Sequence, residues 1–241
     1  TDCAGTPGLL LFTDATKAFD RVQHAFLLRT MAAMQIPDPF IDLFTLLLTD
    51  ATTRIKVNGF LGRPIALRNG VRQGDPCAAL AFLLSLQPYL SLVSCCIRAP
   101  RSIPLASGGT SVVKLEGIPI PTADGLHTTC RPTAAMADDV ATALRDTLQL
   151  PSFKLIMAVH ERASGALNNW LKTFGLRVGS LRGSSVMPPD WDATHINFTA
   201  DVIRYLGIFT GTPTAVLAQW LSRDPGTVSY THLRAHETEE N

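Results

Sequence analysis

The 241 residues are 46% hydrophobic and carry a formal net charge of +1, which excludes a self-repelling disordered chain and allows one substantial core. A pI near 7.7 also excludes the strongly basic footprint of an autonomous nucleic-acid binder, so any grip on phosphate must come from a local patch. Five cysteines, Cys3, Cys77, Cys95, Cys96 and Cys130, form no Cys-x-x-Cys pair and have no matching histidine spacing. Neither a disulfide framework nor a zinc site is indicated, a reducing intracellular compartment fits best, and no secretory or organelle leader is evident.

In chain order, residues 9–12 are a continuous apolar run, as expected of a strand covered on both faces, with Asp14 just beyond its end. A helix is expected next, with apolar positions Val22, Phe26, Leu27, Met31, Ala33 and Met34, stopped by Ile36-Pro37. A second helix is expected to start with Asp38 as its cap and Pro39 in its first turn, burying Phe40, Leu43, Phe44 and Leu47. Residues 54–57 alternate with period two, Asn58-Gly59 supplies a positive-φ turn, and residues 64–67 return, which predicts a hairpin. Between Ala51 and Gly74 lie Arg54, Lys56, Arg63, Arg68 and Arg72 with no acidic residue. These cations suit phosphate contacts or a solvated hairpin edge, and the stretch alone leaves both open.

Residues 77–97 carry no charge and reach membrane-spanning length, but Gln87, Pro88 and several serines interrupt them, so a buried helix is expected and no membrane. Residues 99–125, rich in Pro, Ser, Gly and Thr, read as a surface connection with one short strand at 112–115. A helix over 152–163 ending at Gly165, and strands at 174–178 and 202–209, complete the ordered part. A short helix is expected after residue 211, and residues 223–241 read as a disordered tail or non-native read-through.

Asp14 and the pair Asp138 and Asp139 are the candidate chemistry. A carboxylate at the end of a buried strand can bind magnesium, yet taken alone Asp14 reads better as an N-cap of a helix starting near Ala15. Likewise DDVATALRDTL could be a doubly acidic helix start. Neighbouring strand residues face opposite ways, so both acids of the pair could serve one site only from a tight turn. Acids so gathered over two cations could activate an attacking hydroxyl and neutralise a leaving pyrophosphate.

FTDATKAFDRV, NGVRQGDP, MADD, SGALNNWLK and RYLGI occur in the order of the reverse-transcriptase palm motifs and most resemble those of non-LTR (LINE-type) retrotransposons, over about residues 9–211. The resemblance implies an α+β fold, a palm-like small antiparallel sheet with helices packed on one face. The palm would fill residues 1–211, with a short helix and tail at 212–241. Asp14 becomes the first metal ligand, Asp138 the second, expected within several ångströms of it, and Asp139 the accompanying acid. Phe19 resembles the gate against a 2′ hydroxyl, or is a helix core residue, and Asp20 orients the helix. Gln73 and Gly74 match the loop approaching nucleotide and template, while Arg72 touches phosphate or an acidic neighbour. Lys172 resembles the lysine that protonates the leaving pyrophosphate, and Tyr205, Leu206 and Gly207 the primer-holding hairpin.

The implied cofactor is two magnesium ions, with manganese as a substitute. The implied partners are an RNA template, a DNA primer and deoxynucleoside triphosphates, with the nucleus as the compartment of an active element. Met136 stands where the family usually has an aromatic, and Cys77-Ala78-Ala79 replaces the common apolar-Ser-Pro. The chain is expected to be a fragment, largely without fingers, thumb or endonuclease, that polymerises weakly or not at all. Two alternatives are a degenerate non-catalytic module that binds nucleic acid or protein, and a group II intron maturase-type reverse transcriptase.

Overall fold

The computed structural model describes residues 6–121, 127–129, 133–136, 139–188, 196–199, 201–205 and 208–221. Strand β1 (Gly8–Thr13) is followed by a 3₁₀ turn (Phe19–Arg21) and helices α1 (His24–Ala33) and α2 (Asp38–Leu48). Four two-residue strands come next, β2 (Thr52–Thr53), β3 (Lys56–Val57), β4 (Phe60–Leu61) and β5 (Ile65–Ala66), then the long helix α3 (Ala78–Arg98). Strands β6 (Arg101–Pro104), β7 (Thr110–Val113), β8 (Pro119–Pro121), β9 (His127–Thr129), β10 (Thr133–Met136) and β11 (Asp139–Leu144) precede helix α4 (Leu150–Ser164). Strands β12 (Phe174–Val178), β13 (Asn197–Thr199), β14 (Val202–Tyr205) and β15 (Ile208–Gly211) lead to helix α5 (Pro213–Leu221).

The principal sheet has the order β10-β11-β1-β12-β13. Strand β1 is antiparallel to both neighbours, β11 and β12, whereas β13 joins β12 in parallel, so the sheet is mixed rather than wholly antiparallel. Alternation sends Leu9 and Leu11 into the main core with Leu27, Met31, Val93, Phe153 and Ile156 of the helices. Phe12 turns to the other face, where it packs with Leu176 and Ile203, and with Leu10, Ala141 and Val178 at the edge of that cluster. Helices α1, α3 and α4 pack on one another behind the sheet, on the Leu9 side.

Helix α3 is long and apolar enough to cross a membrane by length and composition. Its Ala78, Ala81, Phe82, Leu86, Tyr89, Val93 and Cys96 are nevertheless buried in the core, which agrees with the buried-helix reading. The hairpin also follows expectation: Asn58 and Gly59 have φ of 47° and 84°, and Lys56–Val57 pair with Phe60–Leu61 beneath the Thr52–Thr53 and Ile65–Ala66 pairing. Gly165 ends α4 in the left-handed conformation with φ 77°.

Several expectations need correction. Only Phe44 of α2 is buried; Phe40, Leu43 and Leu47 are 58%, 44% and 45% exposed, because α2 packs mainly on α1. Asp38 is the first helical residue rather than the cap, a role taken by Pro37, and its charge instead complements the helix dipole. The first helix starts at His24, leaving Val22 buried ahead of it, and Ala33 and Met34 lie on its exposed side. Within the 99–125 connection β6 pairs with β7, β8 pairs with β9 beyond it, and Ile103, Val113 and Leu115 are buried in the main core. Its turn-forming composition concealed these apolar positions. The 202–209 strand is two antiparallel strands, β14 with β15. The expected tail lies outside the described residues.

Phe153 has 0% exposure at the centre of the helical layer. Phe153→Ala should lower unfolding stability by about 3–5 kcal/mol, the range for emptying a buried aromatic site, as read from urea denaturation.

Candidate active site

Asp14 is positioned by the strand before it. Thr13 faces the helices, its hydroxyl donating to the Val140 carbonyl oxygen at 3.3 Å, so alternation turns Asp14 to the open face with Phe12. The last register pair of β1 and β11 is Thr13 with Val140, so Asp14 follows β1 at the end of the sheet where Asp139 begins β11. Asp139 pairs with Met136 of β10. Two of the three predicted acids therefore lie at the same end of neighbouring strands. Asp138, and with it the expected Asp14–Asp138 approach, lies outside the described residues. Asp139 begins a strand rather than a helix, and the 3₁₀ turn after Asp14 is preceded by Ala18 with no side-chain cap, so neither capping alternative is met.

Lys172 belongs to this corner. Its Nζ lies 3.6 Å from Asp14 Oδ2, the side chains being 68% and 30% exposed respectively. Lys172 ends a 3₁₀ turn (Trp170–Lys172) just before β12. Among the described residues no group of three or more His, Cys, Asp or Glu side chains is gathered closely enough to hold a metal. The chemistry of the donor set still fits a hard divalent ion: Asp14 and Asp139 offer carboxylate oxygens, and an ammonium group already sits against Asp14.

The backbone around Asp14 is clamped by the loop after α4. The Asn169 N–H donates to the Asp14 carbonyl oxygen at 2.7 Å, the Thr16 N–H donates to Leu167 O at 2.8 Å, and Ala15 forms an antiparallel bridge with Asn168. Asn168 donates its backbone N–H to Glu161 Oε1 at 2.7 Å and its side-chain amide to Thr173 Oγ1 at 3.1 Å. Arg21 Nε reaches the Gly165 carbonyl oxygen at 2.9 Å. Burial raises the Glu161 carboxyl pKa, opposed by the Asn168 N–H and the charge of Arg21. Sequence reasoning missed Glu161, Asn168 and Arg21 in this role. The available signal was a pair of asparagines just after a helix-ending glycine, in a stretch with no apolar period.

The groups behind the sheet are held uncharged. His160 lies between the rings of Phe26 and Tyr89, with centroids 5.9 and 5.6 Å away, and burial pushes its pKa down to about 4. Burial raises the Tyr89 phenol, whose hydroxyl has no hydrogen-bond partner of good geometry. The cavity next to them, lined by Thr13, Ala15, Arg21, Tyr89, His160 and Asn168, measures about 50 Å³. That space suits a few waters and not a nucleotide.

The 69–76 loop is pinned to the segment after Asp14. Gly70 N–H donates to Val22 O at 2.8 Å and Val71 N–H to Phe19 O at 2.9 Å. At Gly70 φ is +85° and an added Cβ would stand 2.7 Å from Asp20 O, so both conformation and space require glycine. Phe19 stacks on Phe82 at 5.0 Å between centroids, which agrees with its reading as a helix core residue. Arg72 donates to Thr52 O and so ties the loop to the base of the hairpin. Gln73 and Gly74 are exposed, and Gly74, with φ +90°, faces open space. Arg54, Lys56, Arg63 and Arg68 are all exposed on or beside the hairpin. Met136 is 65% exposed at the end of β10. Tyr205 ends β14, whose Ile203 packs on Phe12 two residues before Asp14, while Leu206 and Gly207 lie outside the described residues.

A mixed sheet backed by helices, with acidic residues brought to one corner, is consistent with a polymerase palm. The chain matches the family described as reverse transcriptase (RNA-dependent DNA polymerase) over residues 4–208. It belongs to that family. It is 30% identical over 199 residues to the transposon TX1 uncharacterized 149 kDa protein of Xenopus laevis, covering 83% of this chain and 13% of that protein. It is 35% identical over 127 residues to a Pol polyprotein from the type-1 retrotransposable element R2 of Popillia japonica, covering 48% of this chain and 20% of that protein. A second R2 polyprotein match from Popillia japonica is 28% identical over 227 residues, covering 86% of this chain and 28% of that protein.

Two outcomes follow from the charges. Because the folded pKa of His160 is below its unfolded value of 6.5, the stability tied to its neutral form is present above pH 6.5 and is lost as pH falls toward 4. Chemical denaturation across that window should show a loss of at most about 3 kcal/mol in the wild type that is absent from His160→Gln. Lys172→Ala should tighten manganese binding by up to about fivefold, the worth of an exposed ion pair that no longer competes for Asp14, as read by calorimetry.

Proposed function

We propose that this chain is the catalytic palm of an RNA-directed DNA polymerase that extends a DNA 3′ end on an RNA template by two-metal nucleotidyl transfer. The single observation that supports the reading most is that Asp14 and Asp139 stand next to the last β1–β11 register pair, Thr13 with Val140, at a corner where Lys172 supplies a cation. Asp14, Asp138 and Asp139 would hold two magnesium ions, for which manganese can substitute. When bound, the ions lower the barrier by activating the primer hydroxyl and neutralising charge on the pyrophosphate.

The chain's own residues do the positioning. The clamp on the Asp14 backbone fixes one carboxylate before any ligand arrives. Lys172, mostly exposed and tethered only through Asp14, swings to the leaving pyrophosphate and donates a proton to it. Phe19, held by Phe82, presents its exposed edge to the sugar and bars a 2′ hydroxyl. Gln73 and Gly74 approach the nucleotide and template, Arg72 braces their loop, and Tyr205, Leu206 and Gly207 seat the primer end. The hairpin cations Arg54, Lys56, Arg63 and Arg68 contact template phosphates.

The chain spans 13%, 20% and 28% of the lengths of the three relatives described above, so the activity, targets and partners of the whole protein are part of this proposal. Phosphoryl transfer depends chiefly on positioning, so the isolated span should polymerise weakly or not at all while still taking up metal. Manganese titration followed by electron paramagnetic resonance tests this directly. Wild-type chain should bind, and Asp14→Asn and Asp138→Asn should each weaken binding by more than about tenfold, since even outer-sphere partners of metal ligands are worth about 10–100-fold. Binding unchanged by both substitutions would sink the metal site and leave the non-catalytic binding module as the better reading.

A further inference from the structure

Glu161 has no part in the chemistry proposed above, yet it holds the loop that clamps Asp14. It lies in the last turn of α4, whose Phe153, Ile156 and Met157 are buried in the main core, so its carboxylate projects from a fixed base. That carboxylate accepts the Asn168 N–H at 2.7 Å, and Asn168 is the residue bridged to Ala15. The next residue, Asn169, donates to the Asp14 carbonyl oxygen at 2.7 Å. Three residues later the same loop delivers Lys172 to the Asp14 carboxylate. Arg21 closes the arrangement from the other side: it bonds Gly165 O, and its charge acts on Glu161. The side chain of Asn168 anchors the far end of the loop to Thr173, which is fully buried just before β12.

We infer that Glu161 is a positioning residue for Asp14: through Asn168 it fixes the loop 165–169, and the loop fixes both the acid and its lysine partner. The inference rests on the reading of Asp14 as a metal ligand. What Glu161 supplies to Asn168 is a hydrogen-bond acceptor at one point. Glutamine at 161 keeps that acceptor, alanine removes it, and aspartate withdraws it by one methylene. Without it the Asn168 N–H loses its partner, and the loop keeps only its first two residues tied to α4, Gly165 N–H to Glu161 O and Ala166 N–H to Ser164 Oγ.

The experiment uses the full 241-residue chain and two readouts. Amide hydrogen exchange by NMR should show Thr16 and Asn169 exchanging at least about tenfold faster in Glu161→Ala and Glu161→Asp, with the core amides of α4 unchanged and Glu161→Gln like wild type. Manganese affinity should fall by about tenfold in the same two variants and be retained in Glu161→Gln, the scale on which supports of metal ligands act. Unchanged protection of Thr16 and Asn169 in Glu161→Ala or Glu161→Asp overturns the inference, as does Glu161→Gln behaving like Glu161→Ala. A wild-type chain that takes up no manganese counts against the metal-site reading alone, because the exchange measurement needs no ion.

Discussion

Strand β1 is hydrogen-bonded along both edges, to β11 and to β12, and is apolar on both faces. A slip of one residue in either pairing would drive Leu9 and Leu11 out of the helical core and bring Leu10 and Phe12 into it. Burial on both sides therefore fixes the register, and the register fixes where the chain leaves the sheet. Asp14 occupies that exit. The location of the most chemically suggestive carboxylate is thus a by-product of packing four apolar side chains, and it needs no ligand to be established.

Charge is distributed to match. On the helical side, His160 and Tyr89 are kept neutral by burial, and the Thr13 hydroxyl is spent on Val140 O. On the open side, Asp14 and Lys172 remain partly exposed and form an ion pair. The field at the corner is therefore shaped by Asp14 and Lys172, and behind it by Arg21 and Glu161, which line the same cavity as His160 and Tyr89. This division suits a site that must attract cations without burying an unpaired carboxylate.

Features decided locally were legible in the sequence. The apolar run of β1, the Asn58-Gly59 turn, the glycine stop of α4 and the five residues of β12 all depend on neighbours within one or two turns of chain. Features decided by distant neighbours were not. Nothing in the apolar periodicity of α2 says that Phe40, Leu43 and Leu47 lack a covering element among the described residues. The parallel seating of β13 likewise depends on a strand edge that the sequence does not display. For the site, the order of motifs was more informative than any single acid: Asp14 alone read better as a cap. The Glu161–Asn168–Asp14 connection escaped because Asn169 and Asp14 are far apart in sequence and meet only through main-chain atoms, which carry no residue-type signal.

The two faces of the sheet are not equally anchored. The β14–β15 pair rests on it through Ile203, whose buried companions among the described residues are Phe12 and Leu176, whereas the helices share a deep common core. Resistance to local opening scales with apolar contact, so the outer layer is the compliant one. A polymer that advanced one nucleotide per cycle could then tilt this light cantilever at small elastic cost while the stiff platform beneath stayed still.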